Sequence, residues 1–195
     1  MSRPFALPGT RPRFAPDRPI DVEHYRLAVA LDPAARSVAG TATLTVAVVA
    51  PSVAELAIDA VELEIDAVRV DGKPARFRHD GKVLRIAASA TVGARLAVAI
   101  AYRGQPRRGL YFTAPDAGYP DKPAMAWTQG QDDDSRHWFP CIDSPHDKAT
   151  SEVIATVPAA WTALSNGVLV DEQAHGATRT LHWRLDVPHA CYLVT

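Results

Sequence analysis

The chain has 195 residues, 47% hydrophobic and 22% charged, and its 21 basic and 22 acidic side chains leave a formal net charge of -1. A chain of this length buries about 70% of its unfolded surface, so a hydrophobic core can hold it together without metal or disulfide. The near-neutral balance lacks the basic surface that nucleic acid or anionic lipid requires, and neither is expected as a partner. The 2 cysteines, Cys141 and Cys191, are too few for a disulfide scaffold. One bridge between them and two reduced thiols both remain open, with reduced thiols the expectation.

Residues 1–19 are rich in Pro and Arg and lack periodicity, which predicts an extended arm. This stretch has no apolar run long enough for a signal-peptide core. No window of the chain approaches the roughly 20 apolar residues of a membrane span. A cytoplasmic protein is expected.

From residue 20 the pattern becomes one of strands. Tyr25, Leu27, Val29 and Leu31 alternate with Arg26, Ala28, Ala30 and Asp32, the period of a half-buried strand. Ala42, Leu44, Val46 and Val48 repeat the pattern up to Pro51. Short strands are predicted at Leu56 and Ile58, at Leu63 and Ile65, and at Val68 and Val70. The last runs into Asp71-Gly72, a strong hairpin signal because both central positions of a type I′ turn need positive φ. A second turn falls at Asp80-Gly81, before Val83, Leu84 and Ile86. Leu96, Val98, Ile100 and Tyr102 alternate cleanly, and so later do Val153, Ala155 and Val157, then Leu181, Trp183, Leu185 and Val187. Turn signals every 8 to 12 residues or so predict an all-β sandwich or a set of packed sheets. The Ala-rich run 87–90 is too short for a helix.

Residues 103–150 interrupt the pattern. They hold four glycines, six prolines, and the aromatic side chains Tyr111, Phe112, Trp127, Trp138 and Phe139. A long irregular segment of this kind is where a β scaffold places a binding surface, and equally it is a connection folded onto the sheet with its aromatics as packing.

No autonomous catalytic constellation is present. The helical His-Glu-x-x-His motif places two zinc ligands one turn apart. None of the 7 histidines has Glu as its next residue, and the nearest pairs, His175–His182 and His182–His189, stand at a spacing that faces opposite sides of a strand. There is no Gly-x-Ser-x-Gly elbow and no Gly-rich phosphate loop before a helix. Cys141, in Phe139-Pro140-Cys141-Ile142-Asp143, reads as a buried, inert thiol. Asp132-Asp133-Asp134 lacks the alternate acids, central Gly and terminal Glu of a calcium loop and reads as a solvated turn.

The run Trp127 to Gly167 carries ordered short motifs: Thr128-Gln129-Gly130-Gln131, Ser135-Arg136, Phe139-Pro140-Cys141-Ile142-Asp143-Ser144-Pro145, Lys148-Ala149-Thr150, Val157-Pro158 and Ser165-Asn166-Gly167. In this order they closely resemble the N-terminal domain of the aminopeptidase N family of zinc metallopeptidases, which includes the leukotriene hydrolases. His24-Tyr25-Arg26-Leu27, Gly40-Thr41-Ala42, Val70-Asp71-Gly72-Lys73 and Gly109-Leu110-Tyr111 extend the resemblance, so that it covers residues 20–195. Cys191 to Thr195 looks like the strand leading out of the domain.

The resemblance implies a saddle-shaped, multi-sheet, sandwich-like all-β domain that precedes a thermolysin-like catalytic domain. In that second domain zinc would lower the pKa of a bound water and a Glu would act as base. Its motifs are not in this sequence, so no catalytic residue, metal ligand or cofactor is assigned to this chain, and zinc is expected in the full-length parent. The expected partners are that catalytic domain and the N-terminus of a peptide substrate. What the resemblance assigns here is substrate binding: the loop carrying Gln129 and Gln131 reaches the active site, and a side-chain oxygen of Gln131 helps hold the substrate's α-ammonium. An amide binds a cation less strongly than the Glu found in many relatives. Arg136 and Asp143 are expected to form a partly buried contact that shapes the loop, with Trp138 and Phe139 packed beneath it. An apolar patch is expected near residues 103–150. Some relatives keep the domain as a non-catalytic scaffold or protein-binding module, and that alternative remains open.

Overall fold

The structure, a computed structural model, describes residue 9 and residues 17–195. The arm expected over residues 1–19 lies outside the described residues except for Gly9 and the last three positions, which precede the first strand without regular structure.

The alternation seen in the sequence becomes strands β1 (Ile20–Asp32), β2 (Ser37–Val48), β3 (Ser52–Asp59), β4 (Glu64–Val70) and the two-residue β5 (Lys73–Pro74). There follow β6 (Phe77–His79), β7 (Val83–Thr91), β8 (Arg95–Gly104), β9 (Gly109–Thr113) and β10 (Met125–Gln129). The chain closes with β11 (Lys148–Pro158), β12 (Val168–His175) and β13 (Thr178–Ala190). Among the described residues the helical content is two single 3₁₀ turns, Ser135–His137 and Cys191–Leu193. Among the described residues no helix is long and apolar enough to cross a membrane.

The protein is all-β and built from several sheets. The largest has eight strands in the order β12-β13-β11-β1-β2-β8-β4-β5, a second has the order β3-β7-β6, and β9 pairs with β10 alone. Neighbours run antiparallel except β1 and β11, which pair in parallel from His24↔Thr150 to Ala30↔Thr156. That pairing brings the last third of the chain against its first strand. The inner faces of the two larger sheets share one hydrophobic cluster, with Leu27, Leu44 and Ile100 from one and Leu56, Ile58, Leu84 and Ile86 from the other.

Bulges keep this core continuous. In β1 the alternation slips by one residue between Val22 and His24, so buried Ile20 and Val22 hand over to buried Tyr25, Leu27 and Val29 on the same face. The sequence predicts two strands at Leu63/Ile65 and Val68/Val70. The structure instead has the single strand β4, bulged between Ile65 and Ala67, with Leu63 buried just before it. Asp71 and Gly72 turn β4 into β5 with φ of 48° and 76°, as the type I′ turn demands. At Asp80-Gly81 the Asp80 carboxylate accepts hydrogen bonds from the Lys82 and Val83 amides at 2.9 and 2.7 Å. The Ala-rich run 87–90 continues β7.

Two buried tyrosines show what the core asks of its polar groups. The Tyr25 hydroxyl accepts a hydrogen bond from the Ile142 amide at 3.0 Å, and its ring meets Phe139 edge-on at 5.8 Å. It thereby ties β1 to the irregular segment. The Tyr102 hydroxyl is buried with no partner among the described residues. Burial raises both phenols above their usual range. Asp147, just before β11, is a buried carboxylate that accepts from Arg18 Nη1 at 2.5 Å and the Val22 amide at 3.3 Å. Burial, with the neighbouring Asp21 carboxylate adding to it, outweighs both donors and lifts its pKa to about 6.

Removing these two hydroxyls should have opposite consequences. Tyr25→Phe leaves the Ile142 N–H unpaired and should cost about 1–2 kcal/mol in urea denaturation, whereas Tyr102→Phe removes an unpaired group and should be neutral or slightly stabilising. Equal losses for both variants would contradict this account of the core.

Candidate functional site

Within the irregular segment 103–150 the structure places a short antiparallel ladder that the sequence gives no alternation for, β9 against β10, from Thr113↔Met125 to Gly109↔Gln129. Tyr111 and Trp127 stack on it with ring centroids 4.5 Å apart and 20° between planes. Gln129 is the last residue of β10. After Gly130 the chain turns through residues 131–134, closed by the Asp134 amide donating to the Gly130 carbonyl at 2.9 Å, and enters the 3₁₀ turn.

Two close approaches fix this turn. A Cβ on Gly130 would stand 2.7 Å from the Tyr192 carbonyl oxygen and 2.8 Å from the Tyr192 Cα. A Cβ on Gly109, whose φ is 74°, would stand 2.1 Å from the Asp134 carbonyl oxygen. Only residues without a Cβ let three stretches of backbone meet so closely. The buried Ser135 hydroxyl adds a hydrogen bond to the Cys191 carbonyl at 3.2 Å. The turn after Gln129 therefore rests on the 3₁₀ turn Cys191–Leu193. That turn occupies the place where the resemblance implies an exit strand, and corrects it.

Arg136 and Asp143 make the contact expected of them. The Asp143 carboxylate accepts from the Arg136 backbone amide at 3.0 Å and from Nε at 3.2 Å, and Arg136 Nη2 donates to the Asp143 carbonyl at 3.2 Å. Asp133 and Asp59 approach the same guanidinium at 3.0 and 3.9 Å. Burial pushes the Asp143 pKa up, and the Arg136 hydrogen bonds oppose it without cancelling it. For Arg136, burial is outweighed by the surrounding carboxylates, and its pKa rises. Trp138 and Phe139 are buried beneath, edge to face with centroids 4.5 Å apart.

Gln129 and Gln131 are both exposed. They line one depression of about 400 Å³, together with Asn166, His189, Tyr192 and Thr195. The sequence singles out neither Asn166 nor His189 for this place. Asn166 is there because its side-chain oxygen accepts the Thr195 amide at 2.9 Å, and Ser165 bonds the Thr195 carbonyl. His189 is there because Ser151 Oγ lies 3.2 Å from its Nε2 and the Val187 carbonyl 2.9 Å from its Nδ1. The Asn166–Thr195 and Ser151–His189 contacts are long-range, so the place of these two residues at the depression is not written in the sequence around them.

A second, apolar groove of about 520 Å³ lies beside the depression, lined among others by Leu31, Met125, Trp127, Trp161, Leu164 and Trp183. Exposed Met125 and Trp127 belong to the segment where an apolar patch is expected. Leu164, Val168, Leu169, Val170 and Val187 are exposed outside it.

The histidines do not converge through the spacings considered in the sequence. Two of them, on different strands, meet one carboxylate instead: Glu152 lies 3.4 Å from His24 Nε2 and 2.8 Å from His182 Nε2, with Arg184 at 3.6 Å and Arg26 at 3.9 Å. Two guanidiniums around one carboxylate make this an ion-pair network across β1, β11 and β13. Among the described residues one group of three potential metal ligands occurs, Cys141, Asp143 and Cys191, with their ligand atoms within 4.8 Å of one another. All three are buried, and Asp143 is committed to Arg136. A catalytic zinc site keeps an open coordination position, so this group does not fit one.

An all-β scaffold with a glycine-fitted, amide-bearing turn at the mouth of a surface depression is the class of protein these features define. Residues 21–193 match the Peptidase M1 N-terminal domain, and the chain belongs to that family. Over 90 residues it is 36% identical to the Transcription initiation factor TFIID subunit 2 of Gallus gallus, a match covering 44% of this chain and 8% of that protein. It is 37% identical over 70 residues to the Aminopeptidase M1-B of Oryza sativa subsp. japonica, covering 36% and 8%. The fold is shared with an M1 zinc metallopeptidase from Deinococcus radiodurans, at a TM-score of 0.80 and 23% identity, over 91% of this chain and 41% of that one. It is shared also with Leukotriene A4 Hydrolase from Saccharomyces cerevisiae, at 0.71 and 18%, over 90% and 28%. The chain thus spans less than half the length of the relatives it matches.

The fit at Gly130 gives a direct test. Gly130→Ala must push the 131–134 turn off Tyr192, and should cost about 1–3 kcal/mol of stability and raise amide hydrogen exchange in residues 130–136 and 191–194 together. An unchanged exchange pattern would show that the two stretches are not in contact.

Proposed function

We propose that this chain is the N-terminal β domain of a zinc metalloaminopeptidase, and that its Gln129–Gln131 loop anchors the free amino terminus of a peptide whose hydrolysis is performed elsewhere in the parent protein. The observation that carries the reading is that both amide side chains stand exposed at one depression, Gln129 at the end of β10 and Gln131 on a turn whose backbone is fixed by close contact. The family match and the zinc metallopeptidases and aminopeptidases among the relatives support it.

The chemistry asked of this chain is modest. Gln131 offers a carbonyl oxygen to the α-ammonium, and Gln129 stands beside it as a second acceptor. A neutral acceptor holds a cation through its dipole alone, so recognition depends on the acceptor being in place before the substrate arrives. The contacts at Gly130 and Arg136 provide that placement. Zinc, held by the parent's catalytic domain, would supply the activated water. We place the protein in the cytoplasm, where two reduced thiols are the normal state.

One observation favours a second reading, that of a non-catalytic scaffold or protein-binding module: a matching relative is named as a transcription initiation factor subunit. The two readings part at the zinc ligands. An intact His-Glu-x-x-His in the parent's following sequence supports the peptidase, and degraded ligands support the scaffold.

In a zinc-loaded parent enzyme, Gln131→Ala should lower kcat/KM for peptides with a free N-terminus by about 10- to 100-fold, the cost of one hydrogen bond to a charged group. Gln131→Glu should tighten binding of the amine. The 195-residue chain alone should not turn over an aminoacyl-anilide with added zinc. Unchanged kinetics in both variants would remove Gln131 from the site, and turnover by the chain alone would refute the division of labour.

A further inference from the structure

The buried cluster behind the candidate site has a chemistry that the substrate loop does not use. Cys141 and Cys191 are both free and both buried, 0% and 1% exposed, and their sulfurs lie within 4.8 Å of each other. Each thiol is on a firm mount. The Cys141 backbone exchanges two hydrogen bonds with Asp59, at 3.0 and 2.8 Å. Cys191 opens the 3₁₀ turn, and its carbonyl is held by Ser135. About 50 residues of chain separate them, and the ring they would close runs through β11, β12 and β13.

We propose that Cys141 and Cys191 are an oxidisable thiol pair that closes to an intramolecular disulfide by exchange with a low-molecular-weight disulfide. A thiolate of the pair attacks the small disulfide and expels one thiolate, giving a mixed disulfide. The second protein thiolate then attacks the mixed bond and expels the other. Two protein thiols lose their hydrogens, one S–S bond forms in the protein, and the small disulfide leaves as two thiols.

The same atoms would suit a soft metal ion less well. The third corner of the cluster, Asp143, is already bound through its carboxylate to Arg136, so a cation would displace or face a guanidinium. Two neighbouring sulfurs need no third group to make a disulfide. Burial, with the neighbouring Cys191 thiol and the Asp143 charge adding to it, pushes the Cys141 thiol well above its usual range. With both thiols buried the pair is slow to meet an oxidant in the closed protein, and oxidation proceeds through local opening of the Cys191–Leu193 turn, close to exposed Leu193 and Thr195. Once formed, the bond holds the Tyr192 backbone beneath Gly130 and locks the turn that carries Gln131. The inference does not depend on the role given to Gln131, and stands or falls separately.

The test is to equilibrate the chain with oxidised glutathione at mildly alkaline pH, with and without sub-denaturing urea so that slow access is not mistaken for lack of pairing. The intact mass should fall by about 2 Da, and a non-reducing peptide map should join Cys141 to Cys191. Tm should rise by roughly 5–15 °C over the reduced protein. Cys191→Ser should abolish both the mass loss and the shift. Two thiols still open to alkylation after equilibration in urea overturn the proposal. So does a glutathione adduct that persists on one cysteine. Thiol protection without mass loss, reversed by a chelator, overturns it in favour of a metal site.

Discussion

The close approach of Gly130 to Tyr192 is the contact on which the rest of the site depends. It joins residues far apart in sequence, the turn that carries Gln131 and the turn that follows the last strand, at a separation that a single methyl group would break. The surrounding interactions make this position the one the chain settles into. Gly109 passes under Asp134, Ser135 bonds the Cys191 carbonyl, and Arg136 is held by Asp143. The Ser135 hydrogen bond is modest by itself, about 1 kcal/mol, and the charge-assisted Arg136–Asp143 bonds contribute about 1.5–3 kcal/mol. Together they fasten an exposed turn to the buried residues beneath it.

Rigidity matters because of the chemistry proposed for the loop. A carboxylate attracts an ammonium from a distance and tolerates some misplacement, whereas an amide oxygen acts over a short range and in one direction. Ordering a flexible loop on binding would consume much of what one such hydrogen bond contributes. In the proposed role the scaffold would remove that cost in advance, through the β9–β10 ladder and through Tyr25, which bonds the Ile142 amide from β1 and links the loop's base to the central sheet. The turn Cys191–Leu193 and Thr195 are part of the same construction, and Thr195 lines the depression together with Gln129 and Gln131.

Much of the scaffold is legible in the sequence, for a physical reason: strands with one buried face write their period into the residues. Tyr25-Leu27-Val29, Leu44-Val46-Val48 and Val98-Ile100-Tyr102 all have this form, and Asp71-Gly72 announces its turn through positive φ. Elements without a one-sided environment leave no such record. Every residue of β12 is exposed, so its Val168, Leu169 and Val170 show no alternation. β9 and β10 form a short ladder inside a Gly- and Pro-rich segment. The bulge in β4 makes one strand look like two, because the extra residue breaks the period. The parallel pairing of β1 with β11 depends on contacts across more than half the chain. The site follows the same division. Gln129 and Gln131 are picked out by the motif they sit in, and Arg136 with Asp143 by chemistry suited to pairing. The depression's other lining residues and the nearness of Cys141 to Cys191 are products of the fold alone.

The most direct measurement of the central claim is a crystal structure of the parent protein with a bound non-hydrolysable peptide bearing a free N-terminus. The account predicts the Gln131 side-chain oxygen about 2.7–3.1 Å from the α-nitrogen, with Gly130 still packed on Tyr192 and no rearrangement of the loop relative to the free protein. An α-nitrogen held by other groups while Gln131 points to solvent, or a loop that refolds to reach it, would contradict the claim that this turn is a preformed anchor.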